Sequence, residues 1–246
     1  MKITISANKD EVGRRSAEQA SAYIINALEK KGKASIIVAT GASQFEFLQH
    51  LTADTRIDWS KVTVFHLDEY VGLPVTHIAS FRRYLRERLV QQIPCPLAAF
   101  HEVDASSDPH QECERLGALI SKEVIDLCCM GIGENGHIAF NDPPADFLTE
   151  KPYLVVDLDQ GCRQQQVNEG WFPTLADVPK QAISMSVQQI LKSKVLVNSV
   201  PGDRKAVAVK QSLEGAITPL CPASILRTHP DCYLNLDTDS ARLLQS

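Results

Sequence analysis

The sequence lacks an excess of positive charge: 25 basic side chains face 30 acidic ones, a formal charge of −5. Binders of nucleic acid or of anionic membranes ordinarily carry a basic patch, so neither is expected as a partner. One small anion is not excluded, because a site can be positive locally. The chain also lacks an apolar run near the roughly 20 residues of a membrane span. Its opening, MKITISANKDE, reads as a short strand and has no apolar leader core. The seven cysteines are an odd number with no CxxC pair. Cys128 and Cys129 are adjacent inside VIDLCCMGIG, which marks them as small core residues, not disulfide partners. No repeat, low-complexity tract or linker is visible. These absences leave a soluble, cytoplasmic protein of 246 residues, long enough for one continuous core.

What is present is alternation. β-branched runs at 2–6, 35–40, 62–67, 124–130, 153–158, 194–200 and 232–237 are separated by helical patterns. IIVA before Gly41 is apolar throughout, as an inner strand covered on both faces would be. Ala17, Ala20, Ile24, Ala27 and Leu28 recur at helical spacing, with Asn8 and Glu11 as a capping box and Gly32 as the stop. Further helices are expected at 79–91, 110–122 and 203–215. The pattern predicts an α/β fold, a doubly wound and mostly parallel sheet with helices on both faces (a Rossmann-like three-layer sandwich). In such sheets ligands bind beyond the carboxyl ends of the strands. That directs attention to Thr40–Gln44, Asp68–Gly72, Gly131–Asp142 and Pro201–Lys205.

Three constellations fall there. In TGASQFEFLQHL, the turn Thr40, Gly41, Ala42, Ser43 leads from a buried strand into a helix whose free N–H groups and dipole suit an anion. No Gly-Lys-Ser/Thr follows, which disfavours a nucleoside triphosphate; alone, the segment serves equally as a tight turn. Lys205 would add a full charge, or sit solvated at the surface. In FHLDEYVGLP, Asp68 and Glu69 end an apolar strand, where partial burial favours a general base; a turn cap is the plainer role. In CCMGIGENGHIAFNDPP, His137 is framed by Asn135 and Asp142 on a glycine-rich loop, the arrangement a proton shuttle needs. The G-x-G-x-x-G spacing is present, but no ribose-binding acid follows about 20 residues on, so a dinucleotide site is disfavoured.

TGAS (40–43), LDEYVGLP (67–74) and GIGENGHIAFNDP (131–143), with Lys205, resemble the glucosamine-6-phosphate deaminase (isomerase) family, and the similarity extends through CPASILRTHPD (221–231). The resemblance implies a single domain over 1–246 with a lid-like segment at about 144–180, and no metal or organic cofactor. It implies aldose–ketose isomerisation of an amino-hexose 6-phosphate with loss of ammonia, glucosamine 6-phosphate being the expected partner. Asp68 would move the proton between C2 and C1, and His137 would open the sugar ring, oriented by Asn135 and Asp142. Glu69 and Gly136 would support the binding geometry, and Thr40–Ser43 with Lys205 would take the phosphate. The lid of the family ordinarily has two arginines about five residues apart; GCRQQQVNEGWFP keeps Arg163 but has Asn168, Glu169 and Gly170 where the second belongs. Arg163 is therefore expected at the anion, unless the substrate differs. The chain also stops soon after its last strand, where allosteric members carry a longer tail, so no effector control is expected. A homo-oligomer is compatible with the resemblance, which fixes no oligomeric state. The alternatives are a sugar-phosphate lactone hydrolase resembling 6-phosphogluconolactonase and a non-catalytic sugar-phosphate sensor.

Overall fold

The computed structural model describes residues 1–245. Among the described residues ten strands and seven α-helices follow one another: β1 (Lys2–Ser6), α1 (Lys9–Lys31), β2 (Ala34–Val38), α2 (Phe45–Thr52), β3 (Val62–His66), β4 (Asp68–Tyr70), α3 (Phe81–Leu85), β5 (Ala99–His101), α4 (Pro109–Ile120), β6 (Leu127–Met130), β7 (Tyr153–Asp157), α5 (Gln160–Asn168), β8 (Gln181–Met185), α6 (Val187–Leu191), β9 (Leu196–Val200), α7 (Ala206–Glu214) and β10 (Cys232–Asp237). The central sheet runs β1-β10-β9-β6-β2-β3-β5, and every pairing in it is parallel. No described helix is long and apolar enough to cross a membrane.

The inner strands read as they do because both faces are covered. Along β2, Ile36 and Val38 enter the core beneath α1 and α2, while Ile37 enters the core on the opposite face. Cys129 and Cys128 divide in the same way, so the adjacent thiols point into different cores. α1 is capped as expected: the Asn8 side chain accepts the Glu11 N–H at 3.0 Å, and Gly32 closes the helix at φ 71°. The reciprocal Glu11 bond goes to the N–H of Ala7, one residue earlier than in a standard capping box.

Two expectations are corrected. The run at 153–158 does not join the main sheet. As β7 it belongs to a second, antiparallel sheet of order β4-β8-β7, and its middle residues are only half-buried. The helix expected over 79–91 is a short α3 continued by a π-turn over Arg86–Val90. The small sheet and α5 enclose a third core of Tyr70, Phe140, Cys162, Phe172 and their neighbours.

Strand order determines where the site lies. From β2 the chain moves outward through β3 to β5, then returns to place β6 on the other side of β2. The crevice beyond the ends of β2 and β6 is thus a topological switch point, the place where parallel sheets receive ligands.

Candidate active site

A cavity of about 690 Å³ opens there, lined by the ends of β2 (Ala39–Ser43), β3 and β4 (Leu67, Asp68), β6 (Gly131–Glu134, His137) and β9 (Pro201–Lys205). α5 contributes Gln165, Gln166 and Glu169.

The turns after β2 and β9 are built alike. Gly41 and Gly202 take φ 100° and 99°, each opening a single 3₁₀ turn that runs into α2 or α7. Positive φ with open space around it is glycine's territory. Gln44 N–H folds back on Gly41 O, and Lys205 N–H on Gly202 O, both at 3.0 Å. Among the described residues no acceptor takes the N–H groups of Ala42, Ser43, Asp203 and Arg204. The Gln44 amide ties the first turn to Ser43 Oγ and Ser199 O, and Tyr84 Oη donates to Gly41 O at 2.9 Å. The Asp237 carboxylate holds the second through Gly202 N–H.

Lys205 is only 9% exposed. Desolvation lowers its pKa, and it has no ion-pair partner among the described residues. Two helix-opening turns and a desolvated ammonium on one wall form a place for an anion.

Asp68 is buried and lines this cavity. Desolvation raises its pKa well above the ordinary carboxylate value, the charge of Glu69 adds to the rise, and no hydrogen bond offsets them. Glu69 does not line the cavity. Fully buried, it accepts from Tyr70 N–H (2.9 Å), Ser80 Oγ (2.8 Å), Phe81 N–H (3.2 Å) and Arg82 N–H (2.9 Å).

His137 lies across the cavity floor on the backbone of Gly133, where an added Cβ would stand 2.3 Å from the imidazole. Only glycine permits that approach. Asp142 places Oδ1 3.2 Å from His137 Nδ1. Burial alone would raise the Asp142 pKa, but the His137 ring, the Asp159 N–H and the Asn135 amide together hold it low. Asn135 accepts the His137 N–H at 3.0 Å and donates to Asp159 at 3.1 Å. Gly136 turns the loop at φ 85° against Cys221 and does not line the cavity.

Arg163 lies elsewhere. Its guanidinium donates to the carbonyls of Leu175 (2.5 Å) and Val178 (3.1 Å), and it is not part of the cavity lining. The helix face that does reach the cavity carries Gln165, Gln166 and Glu169. Gln165 accepts Glu134 N–H and donates to Glu169. Sequence reading missed this face and also Asp159, which caps α5 through Cys162 N–H while binding Asn135.

Fold and cavity together define a doubly wound α/β protein whose switch-point cavity gathers two helix-opening turns, a buried lysine, a buried carboxylate and a loop histidine. A family model described as glucosamine-6-phosphate isomerases/6-phosphogluconolactonase matches residues 7–234, and the chain belongs to that family. Among its relatives is the glucosamine-6-phosphate deaminase of Geobacillus sp. (strain WCH70), 35% identical and aligned over 99% of this chain and 96% of the relative. The deaminase of Lactobacillus delbrueckii subsp. bulgaricus is 33% identical over the full length of both. A solved monomeric glucosamine-6-phosphate deaminase superposes with a TM-score of 0.90 at 30% identity, covering 99% of this chain and 100% of that one. A 6-phosphogluconolactonase from Thermotoga maritima superposes at 0.79 over 96% of this chain, but at 18% identity that likeness concerns the fold alone.

Proposed function

We propose that the chain converts glucosamine 6-phosphate to fructose 6-phosphate and ammonia, consuming one water. The observation that carries this reading is the placement of Asp68. A carboxylate stripped of hydrogen bonds faces the same cavity as His137 and Lys205.

The substrate phosphate sits between the turns at Thr40–Ser43 and Gly202–Lys205, with the Lys205 ammonium against it. Remote anion binding then fixes the sugar relative to the reacting groups. His137 moves a proton from the anomeric hydroxyl to the ring oxygen and so opens the ring. Asn135 and Asp142 hold its imidazole in position. Asp68 takes the C2 proton and returns one to C1, after which water replaces nitrogen at C2 and ammonia departs. An ionised carboxylate short of solvent and donors is a stronger base than an exposed one. Glu69 contributes by anchoring β4 to the Ser80–Arg82 turn, and Arg163 by holding the segment after α5. The segment at about 144–180, with α5 facing the cavity, acts as the cover.

The test is ammonia release from a panel of amino-hexose 6-phosphates alongside hydrolysis of 6-phosphogluconolactone. Turnover of glucosamine 6-phosphate that disappears in Asp68→Asn supports the reading. Lactone hydrolysis that survives Asp68→Asn, without ammonia release from any amino sugar, overturns it.

A further inference from the structure

Cys162 has no part in the chemistry above, yet it lies beside it. Its sulfur, Asp142 and His137 Nδ1 offer three ligand atoms all within 4.8 Å of one another. His137 Nδ1 is buried and has no aligned hydrogen-bond partner; the nearby Asp142 oxygen is 3.2 Å away but off the line of a good bond. We propose that His137 Nδ1, the Asp142 carboxylate and the Cys162 thiolate bind a thiophilic divalent cation of the zinc class.

The donor set argues for that class. One imidazole nitrogen, one carboxylate oxygen and one sulfur suit zinc or cadmium, whereas magnesium and calcium prefer oxygen throughout. Three protein ligands leave a fourth tetrahedral position for water. The surroundings resemble the support that a metal site needs. The second Asp142 oxygen accepts Asp159 N–H at 3.1 Å, the Asn135 amide lies 3.4 Å from the first, and Asp159 accepts the Cys162 N–H at 2.6 Å. Donors around a tetrahedral zinc stand roughly 3.3–3.6 Å apart, so with all three within 4.8 Å no edge has to close by more than about 1.5 Å. α5, which carries Cys162 in its first turn, is the element that supplies that movement.

Binding replaces the thiol proton of Cys162, which passes to solvent, and uses the lone pair of Nδ1 in the tautomer that carries its proton on Nε2. The ring can then no longer pass a proton, so the cation acts as a reversible inhibitor. That inhibitory consequence rests on the role given to His137 above; the binding itself does not.

The probe is Cd²⁺, titrated into the full-length protein and followed by thiolate-to-cadmium charge-transfer absorbance. One equivalent is expected to bind saturably and be removed by a chelator. Cys162→Ser should lose the band while keeping its basal turnover, and Asp142→Asn should weaken binding more than about tenfold. The double variant Cys95→Ser/Cys113→Ser, which removes the two half-buried thiols, should keep the band and so covers any failure of Cys162→Ser to fold. The proposal is overturned if wild type shows no saturable band, if Cys162→Ser keeps it at equal affinity, or if the double variant abolishes it. Cadmium binding of this pattern in a protein without deaminase activity would support the site and remove only the functional reading.

Discussion

Asp68 and Glu69 are neighbours in the chain, yet they face opposite sides of β4. Asp68 meets the cavity without a hydrogen-bond partner, while Glu69 is held by four donors on the far side. A strand alternates its side chains, so a two-residue acidic motif at a strand end supplies one reactive group and one anchor.

Asp68→Asn is expected to lower kcat by about 10²–10⁴-fold, the ordinary contribution of a positioned base. It should also stabilise the fold at neutral pH. The folded-state pKa of Asp68 is raised, so between the unfolded and folded values the native state holds the extra proton and stability falls as pH rises. The asparagine variant escapes that loss. A gain on the order of 1 kcal/mol appears as roughly 2–4 °C in Tm at this length, absent below the unfolded carboxylate pKa. Calorimetry of both proteins across pH 3–8 checks the sign.

Glu69→Gln should do the reverse. Burial raises the Glu69 pKa even against its four donors, so the loss comes from the hydrogen bonds and not from the charge: a glutamine turns an NH2 toward N–H and O–H groups that now donate to Glu69, at a cost of about 1–3 kcal/mol. Urea unfolding should show the lower midpoint, and the residual folded enzyme should have its basic-group limb moved to lower pH, because the Glu69 charge that helps raise the Asp68 pKa is gone.

Lys205→Met should raise KM for the phosphorylated sugar by roughly 10- to 100-fold, the value of one charge-assisted bond, with kcat changed far less. Inorganic phosphate should raise the Tm of wild type and leave the variant unmoved. Equal KM values would place the anion elsewhere in the cavity.

Gly133→Ala puts a methyl group where the His137 ring now lies. Displacement of the imidazole by about 1 Å is expected to reduce kcat around 10²-fold, while far-ultraviolet circular dichroism stays that of wild type. A variant with full activity would mean that His137 is not held in the position the reaction uses.

The inner strands were legible because burial on both faces leaves an apolar run, as in Ile36–Val38. The small sheet was so only in part. Its β7 falls in the run expected at 153–158, but β4 is three residues long and carries two acids, so neither length nor polarity suggests a strand there. Thr40–Ser43, Asp68, His137 and Lys205 could be found because each follows a strand end, and all of them line the cavity. Arg163 misled for a geometric reason: Gln165, Gln166 and Glu169 centre the cavity face of α5 roughly 110° around the helix from position 163, and the Arg163 guanidinium turns instead to the carbonyls of Leu175 and Val178. Asp159 reads in the sequence only as a helix N-cap; its link to the site comes from Asn135 and Asp142 of the β6 loop, which the fold brings to it.

Among the described residues β1 pairs only with β10, at the edge of the sheet. Its partner strand thus lies about 230 residues further along the chain, and that hydrogen-bonding edge is unmet until residue 237 has been made. The same late strand brings Asp237 to the Gly202 turn. Loss of β10 would therefore cost the protein the pairing of β1 and the tether on the Gly202 turn together, two features far apart in the chain that one strand secures.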